Sequence, residues 1–356
     1  MFERLASVDP GSAPVATGPS PVLLRAGAVA GEGVDAAVAA HYGNPMREQR
    51  LLVEGLAAVD LSNRGVVTIS GPDRLSWLNS ITTQMISGLA PRTSMETLVL
   101  SPRGHIEHDL HLVDDGQTAW VSVEPGTAGA LVSWLESMRF MLRVEVRDVS
   151  ADYAVIGEPV RAESSAGEPP AWTDPWPLLV GDTAAYCAVT DPAMHPGSER
   201  PWRELIVPRD DLQTALGDRP LAGMWAAEAL RVAAWRPRLG FETDQRTIPH
   251  EVDWLRTAVH LHKGCYRGQE TVARVHNLGR PPRRLVFLHL DGSGHILPGR
   301  GTEVEAAGRV VGRLTSVVRH HELGPIALAV VKRNTPLDAV CNAAGVSASQ
   351  EEIVPG

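Results

Sequence analysis

Cysteine is scarce in this chain of 356 residues, with only 3 present. Cys187, Cys265 and Cys341 stand too far apart for a C-x-x-C metal or redox pair, and an odd count does not build a disulfide framework. The expected compartment is therefore the reducing cytosol. Nowhere do about 18 apolar residues follow one another, so no membrane span is expected. The opening MFERLASVDPGSAPVATGPSP has early acidic residues and no continuous apolar stretch, which argues against an export signal. Excess positive charge is also missing: 33 Lys plus Arg stand against 42 Asp plus Glu, a formal charge of −9. That balance opposes direct nucleic-acid binding and docking on an anionic membrane, although a basic run from Arg274 to Arg284 could form one local patch. There is no phosphate loop, no dinucleotide-binding glycine fingerprint after a strand, no G-x-S-x-G elbow and no H-E-x-x-H. ATPases, Rossmann dehydrogenases, α/β-hydrolases and the common zinc peptidases lose weight accordingly.

What remains is a globular composition, 44% hydrophobic and 21% charged, at a length that suits two or three domains. Residues 1–20 are rich in Gly, Ser, Ala and Pro and read as a disordered tail, and residues 341–356 read as a flexible tail of similar character. A Pro/Gly/Ser/Glu-rich stretch from Glu158 to Pro177 reads as a long loop or a boundary, which separates a subdomain over 21–157 from a second over 158–280. GVVTIS, Gly65 to Ser70, is a β-branched run followed by a Gly71-Pro72-Asp73 turn. Leu75, Leu78, Ile81, Met85 and Ile86 then recur at helical spacing, and Trp225 to Trp235 reads as another helix. After Pro281 the pattern turns purely β, with short strands about ten residues apart, which predicts a small antiparallel barrel over 281–340.

Three clusters can carry chemistry. In HKGCYRGQE two glycines, Gly264 and Gly268, bracket Cys265 and Tyr266, and the following TVARVHNLG reads as a short helix ended by Gly279. Cys265 then lies just before a helix N-terminus, beside Lys263 and Arg267, an environment that stabilises a thiolate. The thiol is either reactive, a transient metal or cluster ligand or part of an anion-binding loop, or it is a small buried hydrophobe in a packing turn. In GHIEHDLHL a strand would place His105, Glu107, Asp109 and His111 on one face, for metal binding or proton transfer, or simply as a wet sheet face. In EALRVAAWRPRLGFE, Arg231, Arg236 and Arg238 can clamp a carboxylate or phosphate, or can form the exposed side of a helix end. Glu204 heads the apolar strand RELIVP and alone assigns nothing.

Lys263, Gly264, Cys265, Tyr266, Gly268, Gln269 and Glu270, with VAR after them, fill all seven fixed positions of KGCYxGQE. That signature resembles the YgfZ-type folate-binding proteins, relatives of the glycine-cleavage T-protein. DLSNRGVVTISGPDRLSWL, SPRGHIEHDL, RELIVP, EALRVAAWRPRLGFE, VVGRLTS and PIALAVVKR resemble family blocks in the same order, so the resemblance runs from about Asp60 to Arg333. It implies an α+β fold: a T-protein-like ring of two related α/β subdomains around a central folate channel, plus the C-terminal six-stranded β-barrel. It implies a bound tetrahydrofolate or one-carbon derivative, with Asp109, Glu204 and Arg231 at the folate and Cys265 as a redox or transient cluster-contacting thiol in the signature loop. A single cysteine holds no stable cluster, since clusters take four thiolates, so no stable metal is expected. The implied function is support of iron–sulfur cluster assembly or repair, with tRNA-modifying iron–sulfur enzymes among the beneficiaries and iron–sulfur proteins or assembly factors as partners. The alternative is a folate-dependent aminomethyl or one-carbon transferase in which Asp109 relays a proton and Cys265 is structural. Nothing resembles an assembly seam, so a monomer is expected. Two departures stand out: Thr83-Gln84-Met85 replaces the Thr-Asn-Asp of many relatives, and His108-Asp109 replaces the paired aspartates.

Overall fold

A computed structural model describes residues 18–294 and 297–356, so most of the tail expected over 1–20 lies outside the described residues. The alternating pattern of apolar and polar residues builds two five-stranded sheets and a closed six-stranded barrel. In the first sheet the strands run Ser94–Leu100, Ile106–Asp114, Thr118–Val123, Gly65–Ser70 and Glu145–Asp148, all antiparallel neighbours. One face is sealed by the helices Arg74–Ile81 and Ala128–Met138, which press Trp77, Leu78, Leu131 and Leu135 onto Val67, Ile69, Leu110 and Leu112. Because strand side chains alternate, the same rows turn Asp109, His111 and Ser122 to the opposite face, where they meet the second sheet.

The second sheet runs Ala171–Thr173, Arg203–Pro208, Tyr153–Glu158, Ala58–Asp60 and Leu221–Ala222. Its strands come from both sides of the boundary expected at 157/158, and that boundary falls inside the Tyr153–Glu158 strand. The expected loop over Glu158 to Pro177 likewise contains the edge strand Ala171–Thr173, since Ala171 and Trp172 are buried and pair with the Arg203–Pro208 strand. Helix Arg74–Ile81 stops before Met85, because Thr82 leaves the helix and caps it back onto Leu78. The helix expected from Trp225 to Trp235 spans Met224–Ala233.

The barrel is ordered Arg283–Leu290, Gly324–Lys332, Arg309–His320, Glu303–Ala306, Cys341–Ala343 and Val346–Glu352. Residues 341–356 are therefore no flexible tail: Cys341–Ala343 and Val346–Glu352 close the barrel between its first and fourth strands. Polar alternation through VSASQEE disguised this strand, whose outward row is wet while Ala348 points inward. Beyond it, Ile353 and Val354 are buried in a core shared with Leu98 and Leu100 of the first sheet, Val232, Trp254 and Phe287. A chain ending at residue 340 should leave two barrel edges unpaired and strip that core. We expect it to melt well below the full chain and to be cut within the barrel by limited proteolysis; a truncated chain with unchanged melting would show that these strands are dispensable.

Candidate functional site

A narrow cavity of about 70 Å³ lies where the two sheets meet helix Met224–Ala233 and the 235–242 loop. Its wall carries five arginines (Arg64, Arg200, Arg231, Arg236 and Arg238) and six carboxylates (Asp35, Asp109, Glu124, Asp174, Glu204 and Glu228), with His111, Trp172 and Trp202. The charges alternate along one line. Arg238 binds Asp35 through both terminal nitrogens and Glu124 through Nε at 2.8 Å. Glu124 accepts from Arg64 at 2.7 Å, and Arg64 lies 3.3 Å from Glu204. Glu204 takes the Nδ1 side of His111 at 3.0 Å, and His111 Nε2 faces Asp109 Oδ2 at 3.2 Å. A second line joins Arg236 to Glu96 at 2.5 Å and to Asp174 at 3.3 Å, with Asp174 also held by Arg200.

Burial alone would raise the carboxyl groups, but Arg64 and His111 hold Glu204 far below the usual carboxylate range, and Arg238 and Arg64 hold Glu124 down. His111 shows the mirror case: burial pushes the imidazole down, yet Glu204 and Asp109 outweigh it and lift the group to about 9. Its ring stacks flat on Trp172 with centroids 3.6 Å apart. His108, on the other side of the strand, has only burial acting on it and is pushed down to about 4.

The polar strand face is thus buried cavity wall rather than a wet surface for Asp109 and His111. His105 precedes the strand, and Glu107 points outward to Arg267 at 3.0 Å. Glu204 joins them because it pairs in register with Trp172, one strand away. The three arginines of the helix end are buried, not exposed. Arg231 lines the cavity, but its five N–H groups are taken up by Glu228, Glu242, the Arg236 carbonyl and Ser316. It fastens helix, loop and barrel together and has no donor left for a ligand. Thr83, Gln84 and Met85 do not line the cavity; Thr83 and Gln84 instead bind the carbonyls of Ala258, Thr257 and Val180. Sequence patterning missed Arg64, Asp35, Glu124, Asp174 and Arg200, which come from loops and strand ends with no shared period.

Among the described residues, four buried polar atoms belonging to residues of this wall have no partner: the acceptors Asn63 Oδ1 and Asp109 Oδ1, and the donors Arg200 Nε and Arg236 Nη1. Orphans of this kind cost about 1–3 kcal/mol each, and two donors beside two acceptors suit a flat heterocycle with N–H and C=O edges. By volume the cavity admits roughly five waters or part of one ring system. It shares Asp35, Met224 and Glu228 with an outer chamber of about 640 Å³, lined also by Met46, Trp225, Phe241 and Arg300. That size is in the ordinary range for an organic ligand.

Two buried groups bring three metal-ligating residue types together: Glu96, Asp109 and His111, and Cys187, His195 and Asp253. The first set keeps one unpartnered oxygen on Glu96 and one on Asp109, but its imidazole has no nitrogen to spare, and the second set has its aspartate and one histidine nitrogen engaged. Both nitrogens of His111 face carboxylates, with Arg64 and Arg236 already neutralising the site. His195 Nδ1 accepts from the Gly197 N–H at 2.9 Å, which leaves Nε2 carrying the ring proton, and Asp253 is held by Arg256 and the Tyr186 N–H.

The signature loop lies outside the cavity. Cys265 is exposed, so it is no buried hydrophobe, and it stands three residues before Gly268, which caps helix Gln269–Leu278. Lys263 does not attend the thiol: its Nζ is buried and donates to the carbonyls of Asn79, Thr82 and Gln84 at 2.5, 2.8 and 2.6 Å. Burial pushes this ammonium down to about 8. Arg267 is held by Glu107, Tyr266 is buried, the Gln269 amide reaches the Lys263 carbonyl at 3.4 Å, and Glu270 is exposed. Gly268 has φ +85, and a Cβ there would meet Ser101 O at 2.7 Å and Gly104 Cα at 3.0 Å. Only glycine lets the loop dock on the turn that leads into the Asp109 strand. Gly264 has open space around its Cα and serves no such approach.

Residues 21–157 match the GCVT N-terminal domain family. A putative chloroplast transferase of Arabidopsis thaliana is 25% identical over 287 residues, covering 74% of this chain and 62% of that protein. This chain therefore spans less than two thirds of that relative. A mitochondrial iron–sulfur cluster assembly factor IBA57 homologue of Mycosarcoma maydis is 22% identical over 260 residues, covering 69% of this chain and 60% of that protein. Among solved structures, the glycine cleavage system aminomethyltransferase T of Bartonella henselae superposes with TM-score 0.72 at 18% identity, covering 96% of this chain and 97% of that one. The fold is T-protein-like, with the closed antiparallel barrel at its C-terminal end.

The Lys263 tether generates a test. Lys263→Met removes the donor from three carbonyls at a helix end, and at about 1 kcal/mol per lost bond urea unfolding should report a loss of roughly 2–3 kcal/mol. A loss below about 0.5 kcal/mol would mean that the ammonium contributes no net tether.

Proposed function

We propose that this chain is a YgfZ-type protein that binds a reduced folate, tetrahydrofolate or a one-carbon derivative, and supports the assembly or repair of iron–sulfur clusters. The observation that carries the folate half is the set of four orphaned polar atoms buried in residues that line one cavity. A pterin edge presents N–H groups suited to Asn63 and Asp109 and a carbonyl suited to Arg200 or Arg236, and the outer chamber has volume for the remainder of such a molecule. When bound, a reduced folate would supply a carrier for one-carbon units. Asp109 would hold a ligand N–H, Glu204 would act through His111, and Arg231 would keep the wall assembled.

The cluster half rests on the full KGCYRGQE loop and on the exposure of Cys265. A surface thiol beside a fixed loop is accessible to another protein, and the cluster is then cargo that one thiolate touches in passing. The iron–sulfur assembly factor homologue among the relatives is consistent with this reading. In it, iron–sulfur proteins or assembly factors are the partners, tRNA-modifying iron–sulfur enzymes are among the beneficiaries, and the cytosol is the workplace.

A one-carbon transferase is the second reading, favoured by the buried, unpartnered oxygen of Asp109, a residue of the cavity wall. Calorimetric titration with tetrahydrofolate separates the outcomes. Wild type should bind, Asp109→Asn should bind at least about tenfold more weakly, the worth of one charge-assisted hydrogen bond, and Cys265→Ser should bind as wild type. In cells lacking the native protein, Cys265→Ser should fail to restore iron–sulfur enzyme activity. Absence of binding by wild type overturns the folate reading, and full restoration by Cys265→Ser together with loss of turnover in Asp109→Asn replaces the maintenance role with the transferase.

A further inference from the structure

His111 is the imidazole of the cavity wall, and the charged groups around it can be named from every side. On its own strand Asp109 faces Nε2 at 3.2 Å. From the second sheet Glu204 faces Nδ1 at 3.0 Å, and Trp172 covers the ring face at an interplanar angle of 5°. In register across the first sheet lie Glu96 on one side and Ser122 on the other. Arg64, whose charge opposes a protonated ring, reaches within 3.2 Å of Nδ1 and is itself held by Glu124, while Arg236 neutralises Glu96. The Trp172 indole N–H donates to the Met95 carbonyl, so the stacking surface is fixed in place.

Both ring nitrogens point at carboxylate oxygens. A neutral imidazole has one N–H and can serve only one of them, its bare Nδ1 then accepting from Arg64 Nη2 at 3.2 Å; an imidazolium serves both carboxylates and gives up that contact. A flat aromatic face under a delocalised cation favours the charged form further. Asp109 is left with Oδ2 engaged and Oδ1 buried without a partner.

We propose that His111 is a positioning residue: its two ring N–H groups pin Glu204 and Asp109 together across the two sheets and leave the second, buried Asp109 oxygen unpartnered, so that it accepts an N–H when a ligand enters. The proposal depends on the folate reading only for the identity of that ligand. It predicts a charged group in the free protein, because the two carboxylates lift His111 to about 9 against burial. A raised folded value means that the charged, bridging state is fully present below the ordinary histidine value and is lost as pH rises through about 9.

The first measurement uses no ligand. In isotope-labelled protein, nitrogen NMR should show both ring nitrogens of His111 protonated at pH 7, with deprotonation near pH 9, moving to lower pH in Glu204→Gln and in Asp109→Asn. Tetrahydrofolate affinity of wild type should then fall as pH passes through that same value. His111→Gln should bind about tenfold more weakly at neutral pH and lack the pH step, an effect that loss of packing alone would not produce. Titration of His111 near the ordinary histidine value, or an unchanged binding step in His111→Gln, overturns the proposal. If His111→Gln does not fold, the wild-type titration and its movement in Asp109→Asn still decide it. If wild type binds no tetrahydrofolate yet His111 titrates near pH 9 and responds to Asp109→Asn, the bridge stands and the folate reading falls.

Discussion

The structure depends on a buried chain of alternating charge that no single element could hold. Asp35, Arg238, Glu124, Arg64, Glu204, His111 and Asp109 come from loops and strands of both sheets, and each member is neutralised by the next. Taking such groups out of water is costly, and removing one partner from a buried pair leaves an uncompensated charge that destabilises by about 3–5 kcal/mol. Apolar packing would hold the two sheets together equally well. What the charges add is register: the sheets meet at one relative placement, because any slip strands several ions at once. A site that needs a polar group aimed within a fraction of an ångström gains from that constraint.

The cavity and the exposed cysteine are separate places joined by a short mechanical path. Asp109 and Glu107 are two residues apart on one strand, and the first faces inward while the second faces Arg267 in the signature loop. The turn before that strand receives Gly268 at a distance that only a glycine permits, and Lys263 binds the loop to the end of helix Arg74–Ile81. The Asp109 strand and the Cys265 loop are therefore tied together through backbone and one ion pair, although the thiol itself does not reach the cavity. The lysine and arginine beside the cysteine in sequence, which suggest thiolate stabilisation when read as neighbours, are engaged in this attachment instead.

Sequence pattern made part of this legible. Period-2 alternation placed Asp109 and His111 on one strand face, and the spacing of apolar residues located the helices beginning near Arg74, Met224 and Gln269. The resemblance supplied what periodicity could not, namely the T-protein-like body of the fold, while the β pattern after Pro281 had already pointed to a barrel. The rest was illegible for physical reasons. Arg64, Asp35 and Asp174 occupy loops or strand ends, where no periodicity marks which way a side chain turns. Residues 341–356 looked like a tail because their closing strand alternates polar residues outward with small ones inward, and small inward residues are what a narrow barrel admits. Arg231 was assigned to the ligand because a family motif transfers position, while only the geometry tells whether a guanidinium has an N–H to spare.

Electrostatics also narrows what the inner cavity can hold. Its wall sets five arginines and His111 against six carboxylates, and Arg236 and Arg231 are shared further with Glu96 and Glu242 behind the wall, so no cation stands in surplus before any ligand arrives. A further anion buried there would meet no surplus cation and would lose its hydration without compensation. The occupant favoured by this wall is neutral, flat and rich in both donors and acceptors, matched to two orphaned acceptors and two orphaned donors. A charged portion of the same molecule belongs in the wider outer chamber, where Arg300 lies over Phe241 at 4.0 Å and solvent is near. A neutral heterocycle with a charged extension is the chemical outline of a reduced folate, and the division of the site into a balanced inner cavity and a roomier outer one follows the same outline.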